Sequence, residues 1–93
     1  MANADISVES LSASLAMSRV QLYKRLLSIT GLTPSEFIRN IRLRHAEQLL
    51  RQSQRSVSEI AYQVGFNNPR YFSRYFSEMY GVTPSVYKQR YGK

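Results

Sequence analysis

One unit of about fifty residues occurs twice in this chain, and that repetition leaves few folds open. Gly31-Leu32-Thr33-Pro34-Ser35 returns fifty positions later as Gly81-Val82-Thr83-Pro84-Ser85. At the same offset Leu22, Leu26 and Ile29 correspond to Phe72, Phe76 and Met79, and Phe37 corresponds to Tyr87. Upstream the offset is forty-nine: Ser7-Val8 matches Ser56-Val57, and Leu11, Leu15 and Met17 match Ile60, Val64 and Phe66. The second copy therefore carries one extra residue, in a turn between Met17 and Leu22 of the first.

Each copy reads as helix, short turn, helix. In the second, Ser56-Val57-Ser58-Glu59 is a capping box, in which the serine oxygen takes a free backbone N–H and the glutamate reaches back. Ile60, Ala61 and Val64 form an apolar face, and Gly65 ends the helix where a positive φ is required. Asn68 caps the next helix and Pro69 takes its first position, where a missing N–H costs nothing; Gly81 ends it after about Tyr80. In the first copy a helix spans about Val8 to Leu15, and Ser18-Arg19-Val20-Gln21 caps another that ends near Thr30. Ala16 stands where Gly65 stands, so a left-handed residue there costs roughly 1–2 kcal/mol and a slightly reshaped first turn is expected.

Thr33-Pro34-Ser35-Glu36 opens a long helix to about Gln52. Its apolar stripe changes side: Phe37, Ile38 and Ile41 share one face, and Leu43, Ala46 and Leu50 lie nearly opposite. A helix serving one core keeps one stripe, so this one is expected to pack on the first unit with one half and on the second with the other. Thr83-Pro84 starts a short closing helix with Val86 and Tyr87. The expected organisation is all-α: residues 1–33 a first helix-turn-helix unit, 34–53 a connecting helix, and 54–93 a second unit with its closing helix.

Thirteen Lys and Arg against six Asp and Glu give a net charge of +7, which favours a polyanionic partner. A helical wheel locates the charge. Leu22, Leu26 and Ile29, and likewise Phe72, Phe76 and Met79, are expected in the core. Opposite them the first unit carries Val20, Lys24 and Leu27, with Arg19 and Tyr23 on a shoulder; the second carries Arg70, Arg74 and Ser77, with Ser73 beside them. No acidic side chain is expected at pairing distance from Arg70 and Arg74. The N-terminal end of the second helix of such a unit is the part that enters the major groove. Arg can pair bidentately with guanine there, and Val20 and Tyr23 suit a thymine methyl or the backbone. Arg39, Arg42, Arg44, Arg51 and Arg55 read instead as solvated or ion-paired surface. Tyr62, Tyr71, Tyr75, Tyr80, Tyr87 and Tyr91 have the spacing of packing residues rather than of a stacking platform for single strands.

Other classes are poorly served. His45 has no second histidine and no cysteine to share a metal with, and the chain shows no nucleophile–base pair or phosphate loop. No enzyme activity and no cofactor are expected, and no apolar run is long enough to span a bilayer. Without cysteines, a reducing, cytoplasmic setting is the expected one. The alternative to DNA binding is a helical adaptor whose basic face binds an acidic protein.

Arg42-Leu43 with Ala46 and Leu49-Leu50, then Ser58-Glu59-Ile60-Ala61, Gly65-Phe66, Tyr71-Phe72-Ser73-Arg74-Tyr75-Phe76 and Gly81-Val82-Thr83-Pro84 together resemble the AraC/XylS family of bacterial transcription regulators, over about residues 7 to 91. Leu22-Tyr23-Lys24-Arg25 and Leu32-Thr33-Pro34-Ser35-Glu36-Phe37-Ile38 look most like output domains at the C-termini of hybrid two-component sensors. The resemblance implies a seven-helix bipartite domain whose third and sixth helices read adjacent major grooves of double-stranded DNA. It implies DNA contacts at Arg19, Val20, Tyr23, Lys24, Asn67, Pro69, Arg70, Ser73 and Arg74. It also implies an activator, with RNA polymerase and N-terminal sensor or regulatory domains as partners. Residues 1 to 6 are too short for the family's first helix, which points to a fragment of a larger protein. Ser12 stands for a usual alanine, and Ser77 for a frequent lysine.

Overall fold

The computed structural model describes residues 7–92, and within them six helices: α1 (Val8–Ser14), α2 (Arg19–Thr30), α3 (Pro34–Gln52), α4 (Val57–Gln63), α5 (Pro69–Tyr80) and α6 (Pro84–Tyr91). The expected shortfall of a first family helix in residues 1 to 6 lies outside the described residues.

Local chemistry sets the boundaries. Ser7, Ser18, Thr33 and Ser56 each accept the N3 backbone N–H, and the side chain at N3 accepts the cap's own N–H in return. Asn68 Oδ1 accepts the Arg70 N–H at 2.8 Å, with Pro69 at the first position of α5. Four residues separate α1 from α2 and five separate α4 from α5, so the extra residue of the second unit stands in this turn. With Met17 matching Phe66 and Ser18 matching Asn68, the inserted residue is Asn67.

The first turn is not reshaped. Ala16 takes φ 53°, and Met17 N–H donates to Ser12 C=O at 2.9 Å, as Phe66 N–H donates to Ala61 C=O at 2.9 Å behind Gly65. With the Ala16 N–H donating to Ala13 C=O at 3.2 Å as well, two closed backbone hydrogen bonds offset the strain of one left-handed alanine.

Helix α3 packs against every other described helix, and the first two helices meet the last three chiefly through it. Ile38 is buried toward the first unit, and Leu43, Ala46 and Leu50 are buried toward the second. The two cores are unequal. Around the second half of α3, Ile60, Ala61, Val64, Phe66, Phe72 and Phe76 close a continuous cluster, with Phe72 and Phe76 fully buried. Phe66, Phe72, Phe76 and Tyr87 make a chain of tilted and edge-on ring contacts with centroids 5.3–5.7 Å apart, tying the turn after α4 to α5 and α6. Around the first unit, among the described residues, only Ser12 and Leu22 and, from α3, Pro34 and Ile38 are buried, and Leu15, the counterpart of Val64, is half exposed.

Two residues expected in the core are not there. Ile29 is 71% exposed and Met79 36% exposed. Both stand on the last turn of a 12-residue helix of about 18 Å, whereas the preceding helix of the same unit has 7 residues and reaches about 10 Å. The final turn has outrun its cover. The tyrosines divide as well: Tyr75, Tyr80 and Tyr87 pack on the core, but Tyr62, Tyr71 and Tyr91 are more than half exposed, Tyr91 covering only the outer side of the Tyr87 ring at 4.7 Å between centroids.

A polar clasp joins α3 to α6. Glu47 accepts from Arg51 Nε, from Arg51 Nη2 at 3.2 Å, and from the Tyr87 hydroxyl. Partial burial pushes the Glu47 carboxyl up, but the Arg51 and Tyr87 hydrogen bonds and the Arg51 charge prevail and hold it below the ordinary carboxylate value. Burial, then the bond to Glu47, pushes the Tyr87 hydroxyl up to about 12.

Candidate nucleic-acid interface

The repeat places equivalent side chains in the first half of α2 and α5, Val20 with Arg70, Tyr23 with Ser73 and Lys24 with Arg74, and one turn further on Leu27 with Ser77. Leu22 and Phe72 anchor the opposite sides of the two helices in their cores. This anchoring turns Val20 and Lys24, and likewise Arg70 and Arg74, outward, since positions two residues away lie far around a helix from the buried one; Tyr23 and Ser73, one residue away, stand on the shoulder.

In the second unit Arg70 and Arg74 are exposed, and Ser73 is half-buried. Ser77 is also half-buried, and its hydroxyl donates to the Ser73 carbonyl at 2.8 Å, so it belongs to the shoulder rather than to the outward face. The expectation of no acidic neighbour fails for Arg74: its Nε lies 3.6 Å from Glu78 Oε1, one helical turn on. Side chains four residues apart share a helix face, which makes such a pair easy to form. Both partners are 60–70% exposed, so the pair is weak and readily exchanged for another anion. Asn67 and Asn68 are exposed and Pro69 half-exposed at the head of α5, beside a groove lined by Gly65, Phe66 and Tyr71. Tyr71, 59% exposed, is a surface residue that the spacing argument assigned to packing. Its position 100° from Arg70 and about 60° from Arg74 on the wheel was the available signal.

In the first unit Val20 is 63% and Tyr23 47% exposed, and Lys24 is exposed beside them. Arg19 is also exposed but is held by Glu9 of α1, Nη2 to Oε1 at 2.8 Å. The nine residues expected at the DNA thus fall into two groups, at the heads of two helices carried by one connector.

The connecting-helix arginines have other engagements. Arg51 is committed to Glu47, Arg55 donates to Gln63, and the Arg39 guanidinium lies 4.0 Å above the Tyr75 ring, bridging α3 and α5. His45 is half-buried, and among the described residues no group of three His, Cys, Asp or Glu side chains is close enough to hold a metal. No helix among them is long and apolar enough to cross a membrane.

A family model described as a helix-turn-helix domain matches residues 11–90. The chain is 43% identical over 93 residues to Histidine kinase P4 of Formosa agariphila, covering all of this chain but 7% of the kinase. It therefore spans a small part of that relative's length. Among solved structures, a probable AraC family transcriptional regulator from Rhodopseudomonas palustris matches with a TM-score of 0.83 at 31% identity, over 95% of this chain and 83% of that one. The DNA-binding domain of AdpA, in complex with a target DNA, matches with a TM-score of 0.84 at 32% identity, over 97% and 81%. The chain belongs to the AraC/XylS family of helix-turn-helix transcription regulators, and its function is sequence-specific DNA binding.

Proposed function

We propose that one copy of this domain reads two adjacent major grooves on the same face of a duplex, with α2 in one and α5 in the other. The observation that carries this is the equivalence of Val20, Tyr23 and Lys24 with Arg70, Ser73 and Arg74, all at the leading ends of helices fixed to a single connector. Arg70 and Arg74 contact base edges, Asn67, Pro69 and Ser73 position α5 on the backbone, and Arg19 and Lys24 contact phosphate or base around α2. The units comprise residues 1–33 and 54–93, and 34–53 connect them.

Geometry limits how they dock. The 19 residues of α3 span about 28 Å, against about 34 Å between successive major grooves on one face. Because the connector is packed along its length, the difference is met by bending the DNA. A bend of about 40° costs on the order of 1–6 kcal/mol, which contacts from both units offset.

The similarity to a kinase far longer than this chain supports a place as the output domain of a hybrid two-component regulator, with sensor domains N-terminal to it. In that setting it acts in the cytoplasm as an activator and meets RNA polymerase at the promoter.

Footprinting with hydroxyl radicals on a duplex selected from a random pool tests the reading. Two protected patches about 10 base pairs apart on one face are expected. Neutralising about six phosphates gives a slope of log K against log salt near −5. A single patch refutes the two-groove reading, and a slope shallower than about −2 favours the protein adaptor instead.

A further inference from the structure

We infer that the two units read chemically different half-sites: α5 recognises guanine edges through arginine, whereas α2 recognises thymine through its C5-methyl groups. The inference rests on the two-groove reading above and specifies what each groove must offer.

Four positions opposite or beside the core face of α5 hold Arg70, Ser73, Arg74 and Ser77, with the two serines half-buried; the same four of α2 hold Val20, Tyr23, Lys24 and Leu27, all exposed. Val20, Tyr23 and Leu27 fall within about 60° of arc, and the buried Leu22 leaves them outside the core. They are 63%, 47% and 42% exposed, so this face presents apolar surface to solvent.

Other polar side chains border this face rather than interrupt it: Gln21, Arg25 and Ser28 are exposed on the far side of Lys24. Arg19 pairs with Glu9, but both side chains are 68% exposed and the pair is as readily exchanged for another anion as that of Arg74; Gln21 Oε1 accepts the Ser18 N–H at 3.0 Å to close the capping box. Of the four positions themselves, Lys24 is the one cation. A valine and a leucine cannot hydrogen-bond a base edge, so one lysine cannot specify several base pairs. In the major groove the only apolar group any base presents is the thymine methyl. An apolar helix face continuous with a DNA-binding surface therefore matches a thymine-rich half-site, with Lys24 supplying a phosphate or guanine contact.

The test uses this chain and the duplex recovered by selection against it, with the half-sites assigned by footprinting Lys24→Ala and Arg74→Ala. Replacing thymine by deoxyuridine removes the methyl and leaves every hydrogen-bonding group. In the α2 half-site each contacted methyl removed is expected to weaken binding about four-fold, the loss for one buried methylene. The same replacement in the α5 half-site is expected to have little effect. There, 7-deazaguanine, which lacks the N7 acceptor, is expected to weaken binding instead. Val20→Ala is expected to abolish part of the deoxyuridine effect without adding to it. Two protected patches with no deoxyuridine effect in the α2 half-site overturn the methyl inference and leave the two-groove reading standing. A single patch overturns both, and assigns the apolar face of α2 to a protein partner.

Discussion

Replacing Ser12 by alanine is expected to stabilise the domain, by an amount that follows from the burial of one hydroxyl. Ser12 lies within α1 and is only 6% exposed, and its Oγ has no hydrogen-bond partner among the described residues. Burying a hydroxyl without a partner costs roughly 1–3 kcal/mol. Alanine removes that penalty and adds about 0.5 kcal/mol of helix preference. The space left by one oxygen atom returns up to about 1 kcal/mol of lost contact. The net gain is about 0.5–3.5 kcal/mol, which in a domain of this size raises Tm by roughly 2–28 °C. The gain falls on the weaker half of the molecule, where among the described residues only Leu22, Ile38, Pro34 and Ser12 are buried. Thermal melting and urea denaturation, followed by circular dichroism, measure it directly. An unchanged or lower Tm would refute the reasoning, because it would mean that the hydroxyl finds a partner in solution. DNA affinity at a temperature where both variants are folded is expected to stay the same, since Ser12 faces the core.

Ala16→Gly is expected to add up to about 1 kcal/mol: it relieves roughly 1–2 kcal/mol at φ 53° and gives back part of that as chain entropy. Its melting midpoint checks this. Phe76→Ala is expected to lose roughly 3–5 kcal/mol from a fully buried site, enough to leave much of the chain unfolded at 25 °C by circular dichroism. Glu47 contributes a pH dependence: its folded carboxyl titrates below the ordinary value of 4.5, so its stabilisation is complete above that value and is lost as the pH falls through the lower folded one. Glu47→Gln is expected to be less stable near neutrality and to lose less on acidification, which urea midpoints measured across pH would show. Arg74→Ala is expected to weaken binding to a selected duplex by roughly 1–3 kcal/mol and to relax preference at one base position, read by competition with single-base variants.

The helices and their limits were legible in the sequence because they depend on neighbours in the chain. Ser18 with Gln21, Thr33 with Glu36, and Ser56 with Glu59 close their capping boxes over three residues, whatever the rest of the molecule does. The fifty-residue repeat and the change of face along α3 likewise needed only residue order, and they were enough to place Arg70 and Arg74 on an outward face. Tertiary structure decided what residue order leaves open, namely how far a neighbouring helix reaches. Ile29 and Met79 have the spacing of core residues, yet the seven-residue helices before α2 and α5 end too soon to cover them. It also decided partners: Arg19 meets Glu9 across a turn, Arg39 covers Tyr75 on another helix, and Tyr87 reaches Glu47 forty residues away. Those contacts join side chains from different helices, and their existence depends on the angles at which α3 holds its neighbours.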